Sequence, residues 1–193
     1  MDRELPVARL ILLGLFIIIV VTGSLALKSR MNAPAASAPE AGGDSPAVVS
    51  LHGGATLIAE PGTVGRQIVD WLASDAPSGR FELGGRQFDG RSVEPTIEAR
   101  ARLPRLIAML NSDSDVDVLL VGHSDRSADP AADQALSEAR ARAVRLMLEA
   151  KGISSARIKF EGRGGTQPIA DDSTPAGRAR NERITLELTR HGR

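Results

Sequence analysis

The feature that most restricts the fold of this chain is an apolar stretch near its start, residues 10–27, which contains no charged side chain. As a helix rising 1.5 Å per residue it would be about 27 Å long, close to the roughly 30 Å hydrocarbon core of a bilayer. The stretch therefore predicts a transmembrane anchor within residues 1–27. Ser24 and Ala26 have the small-residue spacing of a signal-peptidase site, so a cleaved signal peptide is the alternative interpretation.

The rest of the chain divides by composition into three further segments. Residues 28–48 are rich in Ala, Pro, Ser and Gly without periodicity, which predicts a flexible linker. Residues 49–79 predict an additional strand-helix segment, and residues 80–190 predict the main domain. We expect a single-pass inner-membrane protein with a periplasmic C-terminal domain. If the signal is cleaved, we expect a periplasmic or outer-membrane-associated protein.

Composition excludes several classes of protein. The 193 residues include 24 basic and 24 acidic side chains, no cysteine, and only 3% aromatic residues. Without a basic excess or rings for stacking on bases, a nucleic-acid partner is not expected. Without thiols the chain has no disulfide, no thiolate zinc site and no cysteine-linked lipid anchor. The core must be built from aliphatic side chains.

Hydrophobic periodicity from residue 49 onward predicts an α/β fold. Residues 64–72 and a stretch beginning at Pro95 have helical spacing. Three short β-rich segments predict strands, at residues 115–121, 157–161 and 184–188.

Two local signals refine this pattern. Asp129 and Pro130 have the residue types of a helix N-cap and first helical position, and this helix is expected to end before Gly152. Gly84 and Gly85 separate two short apolar-alternating segments, which predicts a β-hairpin because glycine suits the positive φ angles of a two-residue turn.

Motifs for catalysis and metal binding are incomplete. His123, Ser124 and Asp125 are the residue types of a hydrolase triad, but adjacent residues at one strand end cannot converge as nucleophile, base and orienting group. The acidic residues within 113–117 lack the Gly and Glu that complete a calcium loop. We therefore expect no catalytic residue, no metal and no cofactor, and a protein that is not an enzyme.

An ordered series of motifs carries a family resemblance: GHSD at residues 122–125, LSEARA at 136–141 and GRARNERI at 177–184. In this order and spacing the chain resembles the OmpA-like C-terminal domain, which is also found in peptidoglycan-associated lipoproteins and flagellar stator proteins. The resemblance covers roughly residues 80–190. It implies a two-layer α/β sandwich, with a β-α-β-α-β core followed by a short helix and a strand. It also implies non-covalent binding of the meso-diaminopimelate stem residue of Gram-negative peptidoglycan.

The resemblance further implies which residues bind. The family's Asp that grips the ligand ammonium corresponds to Asp125, and its Arg that grips the ligand carboxylate corresponds to Arg140. A zwitterionic amino-acid end is matched chemically by one carboxylate and one forked guanidinium. An internal salt bridge between Asp125 and Arg140 is the alternative. The remaining residues implied at the binding site are Asp133, Leu136, Ser137, Asn181 and Arg183.

Three positions depart from the family pattern. Ala128 replaces the usual Gly, Asp133 the usual Asn, and Glu182 the first Arg of the common Asn-Arg-Arg. A carboxylate at residue 133 would favour the ligand ammonium but repel its carboxylate, so we expect an altered affinity. The sequence thus favours a tether that links the envelope to the cell wall. The alternatives are a passive wall-anchoring subunit of a secretion or motor complex and, with less support, a cell-wall hydrolase.

Overall fold

The computed structural model describes residues 47–51, 54, 56–84 and 86–191. Its helices and strands follow in this order: β1 (Ala47–Ser50), β2 (Thr56–Ala59), α1 (Val64–Ala73), β3 (Ser78–Glu82), α2 (Ile97–Asn111), β4 (Val116–Gly122), α3 (Pro130–Glu149), a 3-10 turn (Ser155–Arg157), β5 (Ile158–Gly162), α4 (Pro175–Asn181) and β6 (Ile184–Arg190). The predicted anchor and all but the end of the predicted linker lie outside the described residues. No helix within the described ranges has both the length and the apolar character needed to cross a bilayer.

A mixed four-stranded sheet forms the centre of the fold, in the order β3-β6-β4-β5. Strand β4 pairs in parallel with β5 and antiparallel with β6, and β3 pairs antiparallel with β6. The side chains of Val116, Val118 and Leu120 are at most 1% exposed, as expected for alternate residues on a covered face of the sheet. The predicted α/β class and the order β-α-β-α-β, followed by a short helix and a strand, are confirmed.

Helix α3 begins where the sequence predicted and lies very close to the sheet. The Asp129 carboxylate accepts hydrogen bonds from the backbone N–H groups of Ala131 and Ala132, both at 3.1 Å, so it caps the helix. A Cβ atom on Gly122 would overlap the Ser137 carbonyl group, and one on Gly162 would lie 2.5 Å from the Ser137 hydroxyl oxygen. The two glycines therefore set how closely α3 approaches the ends of β4 and β5.

The residues before β3 pack against the same core as the main sheet. Helix α1 buries Ile68 and Leu72, and β6 holds α1 through Arg190. The Arg190 guanidinium donates to the Leu72 carbonyl at 2.8 Å and lies 4.7 Å from the ring centre of Trp71. The division of the chain into segments ending at residues 27, 48 and 79 stays a prediction.

The hairpin predicted at Gly84 and Gly85 is wrong. Strand β3 pairs with β6, while Phe88 forms an isolated bridge with Pro95. The Gln87 side-chain oxygen accepts a hydrogen bond from the Ile184 backbone N–H at 3.1 Å, which draws the segment after β3 towards the start of β6. The two glycines predicted a local turn, but β3 pairs instead with a strand more than 100 residues later in the chain.

Candidate functional site

The residues predicted at the binding site converge at one edge of the sheet. Because β4 and β5 run parallel, their carboxyl ends meet at this edge, and β6 starts there because it is antiparallel, with Gly122 facing Ile184. Asp125 follows β4, whereas Asn181 and Arg183 precede β6. Helix α3 also begins at this edge. The order of the strands and helices thus brings together motifs that are far apart in sequence.

Arg140 is the most deeply buried charge at this edge, with 0% of its surface exposed. Its Nε donates to the Ser92 carbonyl at 2.9 Å and its Nη2 donates to the Gly90 carbonyl. The guanidinium carbon lies 4.6 Å from the ring centre of Phe88. The remaining nitrogen, Nη1, is buried with no hydrogen-bond partner among the described residues. Leaving a donor of a buried cation unpaired costs free energy. Nη1 can therefore gain stabilisation by donating a hydrogen bond to an acceptor from a ligand.

Asp125 is half-buried, and it lies close enough to Arg140 for the two charges to interact. Within the described part of the chain its carboxylate makes no hydrogen bond and no ion pair. Its charge nevertheless acts on both neighbours: it opposes the burial that lowers the pKa of Arg140, and it adds to the burial that raises the pKa of Glu182. The internal Asp125–Arg140 salt bridge, the alternative from the sequence, is not among the ion pairs of the described residues. The structure thus places an unpaired carboxylate near an incompletely paired guanidinium.

The carboxylate that does pair with Arg140 belongs to Glu182. Its Oε1 lies 3.6 Å from Nη2 of Arg140, and its side chain is 15% exposed. Burial raises the pKa of Glu182, and the attraction of Arg140 only partly opposes this effect. Sequence reasoning identified Glu182 as a departure from the family pattern but did not predict its partner.

Asp133 holds the loop that carries Asp125. It is 1% exposed and accepts hydrogen bonds from the backbone N–H and the hydroxyl of Ser127, at 2.8 and 2.7 Å. Arg91 lies 3.6 Å from the same carboxylate. Burial alone would raise the pKa of Asp133, but the hydrogen bonds from Ser127 and the proximity of Arg91 outweigh it and lower the pKa. A direct ligand contact by Asp133 stays a prediction.

Leu136 and Ser137 fix α3 above the strand ends. Leu136 is 9% exposed and Ser137 is fully buried. The Ser137 hydroxyl donates to the Gln134 carbonyl and accepts from the Gly164 backbone N–H, both at 2.9 Å. These contacts join α3 to the loop after β5, and a ligand contact by either residue stays a prediction.

Asn181 and Arg183 use their side chains to hold neighbouring loops. The Asn181 side-chain oxygen accepts from the backbone N–H groups of Ile169 and Ala170, at 2.8 and 2.9 Å. Arg183 is 4% exposed and donates through Nε to the Glu82 carboxylate at 2.7 Å. Both residues lie at the same edge of the sheet as Asp125, and their contact with a ligand stays a prediction.

His123 is fully buried two residues before Asp125 and was not singled out for binding. The Thr185 hydroxyl donates its one proton to Glu82 at 2.8 Å, so Nε2–H of His123 must donate to the Thr185 oxygen at 3.0 Å. Burial, with the nearby positive charge of Arg183, lowers the pKa of His123 from 6.5 to about 4. A neutral imidazole therefore supports the start of the Asp125 loop at neutral pH.

An apolar cavity of about 430 Å³ lies between α1, α2 and β2, and its lining includes Ile58, Ile68, Leu103 and Met109. Neither Asp125 nor Arg140 contributes to this lining. The candidate site is therefore defined by its charged side chains rather than by the volume of a cavity.

Comparisons with known proteins agree with this architecture. The sodium-type flagellar protein MotY of Vibrio parahaemolyticus is 33% identical over 104 residues, which is 53% of this chain and 36% of MotY. The structure of the cell wall anchor of the T6SS from Pseudomonas aeruginosa has 28% identity and a TM-score of 0.54, and the match covers 68% of this chain and 100% of that one. The peptidoglycan-associated lipoprotein from Burkholderia pseudomallei has 26% identity and a TM-score of 0.52, covering 61% and 92% of the two chains.

The chain spans about half the length, or less, of the first curated relatives that it matches, with 51% as the largest of these shares. The model of the OmpA family matches residues 87–182. This range contains Asp125, Arg140, Asn181 and Glu182 with α2, β4, α3, β5 and α4, whereas β3 and β6 lie just outside it. The chain therefore carries a domain of the OmpA family.

Proposed function

We propose that this chain binds peptidoglycan without catalysing a reaction, through Asp125 and Arg140. The observation that carries the proposal is the buried Nη1 of Arg140, which lacks a hydrogen-bond partner among the described residues, close enough to Asp125 for that carboxylate to act on the Arg140 charge. The solved relatives support the choice of ligand, since one is described as a cell wall anchor and another as a peptidoglycan-associated lipoprotein.

The proposed ligand group is the free end of meso-diaminopimelate, which carries one ammonium and one carboxylate. Asp125 would accept hydrogen bonds from the ammonium, and Nη1 of Arg140 would donate to the carboxylate. Both bonds are charge-assisted and stronger than neutral hydrogen bonds. Because Asp125 and Arg140 do not pair with each other, the ligand gains these contacts without first breaking an ion pair between them.

The proposed setting is the cell envelope. Residues 1–27 would hold the chain in the inner membrane, and the linker at 28–48 would let the periplasmic domain reach the wall. A cleaved signal peptide is the alternative, and the N-terminal mass of the mature protein distinguishes the two.

A wall-anchoring role within a larger envelope complex is the second candidate function. The match to the T6SS wall anchor covers 68% of this chain and so extends beyond the family domain at residues 87–182. Crosslinking in intact cells distinguishes the two roles, because a simple tether would be recovered without a stable set of protein partners.

Asp125→Asn should weaken binding of the full chain to purified sacculi tenfold or more. The substitution removes the charge but keeps the side-chain shape, and a hydrogen bond to a charged group contributes roughly 1.5–3 kcal/mol. Sedimentation with sacculi at increasing protein concentration measures the effect. Because Asp125 makes no hydrogen bond in the described structure, the variant is expected to fold normally.

Two matched controls accompany this experiment. Asp115→Asn changes an exposed carboxylate at the opposite end of β4, and Arg142→Ala removes an exposed guanidinium from the helix that carries Arg140. Both should sediment like the parent. Equal binding by parent and Asp125→Asn would refute the site, and release of soluble muropeptides would support a hydrolase instead.

Sacculi containing diaminopimelate should bind at least tenfold more tightly than sacculi with lysine at the same stem position. A lysine side chain ends in an ammonium without a carboxylate, so it leaves Nη1 of Arg140 buried and unpaired. Free meso-diaminopimelate should also displace the bound protein. Equal sedimentation with both kinds of wall would remove the diaminopimelate specificity while leaving wall binding in place.

A further inference from the structure

Glu182 lies 3.6 Å from Nη2 of Arg140, beside the unpaired Nη1, so its charge compensates part of the charge that a ligand carboxylate would bind. The other acceptors around this guanidinium are the uncharged carbonyls of Gly90 and Ser92. Among the described residues, Glu182 is therefore the carboxylate within ion-pair distance of Arg140. The Glu182 side chain is 15% exposed, whereas the Arg140 side chain is 0% exposed. Glu182 is therefore a charged group that also contacts solvent.

The contact between Glu182 and Arg140 is a loose one. Its shortest separation of 3.6 Å is longer than a hydrogen bond, so the attraction is mainly electrostatic. Burial and the nearby charge of Asp125 both disfavour the ionised form of Glu182 and raise its pKa. The ion pair is thus incompletely satisfied and open to exchange with a better acceptor.

The charges at the site do not match a zwitterion one to one. Asp125 and Glu182 supply two negative charges near Arg140, whereas a zwitterionic ligand end needs one of each sign; the positive charge of Arg91 also acts on Arg140 and Glu182. Arg91 is drawn towards Asp133, 3.6 Å away, and that carboxylate is already hydrogen-bonded to Ser127. An incoming carboxylate therefore meets Arg140 with its charge already partly compensated by Glu182.

We propose that Glu182 is an internal competitor for Arg140, which lowers the affinity of this domain for ligands that carry a carboxylate. The inference rests on the proposed function, because it concerns the same site and the same ligand group. Glu182 stands where the family usually has an arginine. The proposed role therefore belongs to a side chain of the opposite charge. Removal of the charge should strengthen binding, in contrast to the loss expected for Asp125→Asn.

The test compares Glu182→Gln with the parent by calorimetric titration of the full chain with free meso-diaminopimelate. Glutamine keeps the size of the side chain but releases the charge of Arg140, so the affinity should rise about tenfold, as for one charge-assisted contact. A parallel titration uses 1,5-diaminopentane, which has the same ammonium groups but no carboxylate. The variant should bind this diamine no more tightly than the parent does.

The two probes separate electrostatic competition from a structural effect. An unchanged or lower affinity of Glu182→Gln for diaminopimelate would overturn the inference, and so would an equal gain for the diamine. Glu98→Gln, which neutralises an exposed carboxylate in the first turn of α2, serves as the matched control and should bind like the parent.

Failure of the inference can be distinguished from failure of the proposed function. If Asp125→Asn loses affinity for diaminopimelate while Glu182→Gln gains none, only the competitor role is rejected. If Asp125→Asn binds as tightly as the parent, or the parent binds neither sacculi nor diaminopimelate, the proposed function itself fails. Urea unfolding of Glu182→Gln, followed by the fluorescence of the single tryptophan, Trp71, should match that of the parent and exclude a folding defect.

Discussion

Gly122→Ala should destabilise the protein by on the order of 3 kcal/mol, which is a large share of the stability of a domain of this size. The added Cβ would overlap the Ser137 carbonyl oxygen and lie 2.7 Å from the carbonyl carbon. These are backbone atoms in the middle of α3, so no side-chain rotation can relieve the overlap. Helix α3 must shift as a unit, and the shift would move Arg140 away from the carbonyls of Gly90 and Ser92.

Urea unfolding of the full chain, followed by Trp71 fluorescence, measures this loss. Gly65→Ala is the matched control, because the same change in α1 places a Cβ at an ordinary distance of 3.8 Å from the Thr63 hydroxyl. Alanine is a better helix former than glycine, so this variant should gain roughly 0.5–1 kcal/mol. Opposite signs for the two variants would support close packing as the cause, whereas equal small effects would contradict it.

The elements that the sequence predicted well are those with strong local signals. The cap of α3 was evident from Asp129 and Pro130 because helix capping is a local interaction. The β4 strand was evident from its apolar run. Hydrophobic periodicity and capping thus located helices and strands, whereas the edge of the sheet at which the motif residues lie was not predicted.

The contacts that the sequence did not predict join residues far apart in the chain. The partner of β3 is β6, more than 100 residues later, so the glycines after β3 gave a misleading hairpin signal. The Glu182–Arg140 contact spans two different motifs. Periodicity within a segment carries no information about such pairings, because they depend on the packing of the complete sheet.

The structure also separates two kinds of polar residue within the motif series, those whose side chains have hydrogen-bond partners and those whose side chains do not. Asn181 has hydrogen bonds from both Ile169 and Ala170, and Asp133 is held by Ser127. By contrast, Nη1 of Arg140, Nδ1 of His123 and the Ser124 hydroxyl oxygen are buried without a hydrogen-bond partner among the described residues, and the half-buried carboxylate of Asp125 accepts no hydrogen bond there. A satisfied buried group gains little from a new contact, and Asp125 and Arg140 are the charged members of the unpaired set, so they remain the pair that we propose for ligand binding.

His123 should make the stability of the domain depend on pH between about 4 and 6.5. In the folded protein, burial lowers the pKa of His123 to about 4 from the ordinary value of 6.5. Within this window the unfolded chain binds a proton that the folded chain does not, so stability falls as the pH is lowered. The full shift corresponds to about 3 kcal/mol, and this contribution is retained above the unfolded pKa.

His123→Gln should flatten this part of the pH profile, because an amide can still donate to Thr185 but does not titrate. The free energy of unfolding of parent and variant, measured in urea at steps between pH 7 and pH 4, gives the comparison. Carboxylates such as Glu82 and Asp133, whose pKa values are lowered by their partners, add to the acid sensitivity of both proteins alike. The difference between the two profiles therefore isolates the imidazole, and parallel profiles would show that the buried histidine does not limit stability in acid.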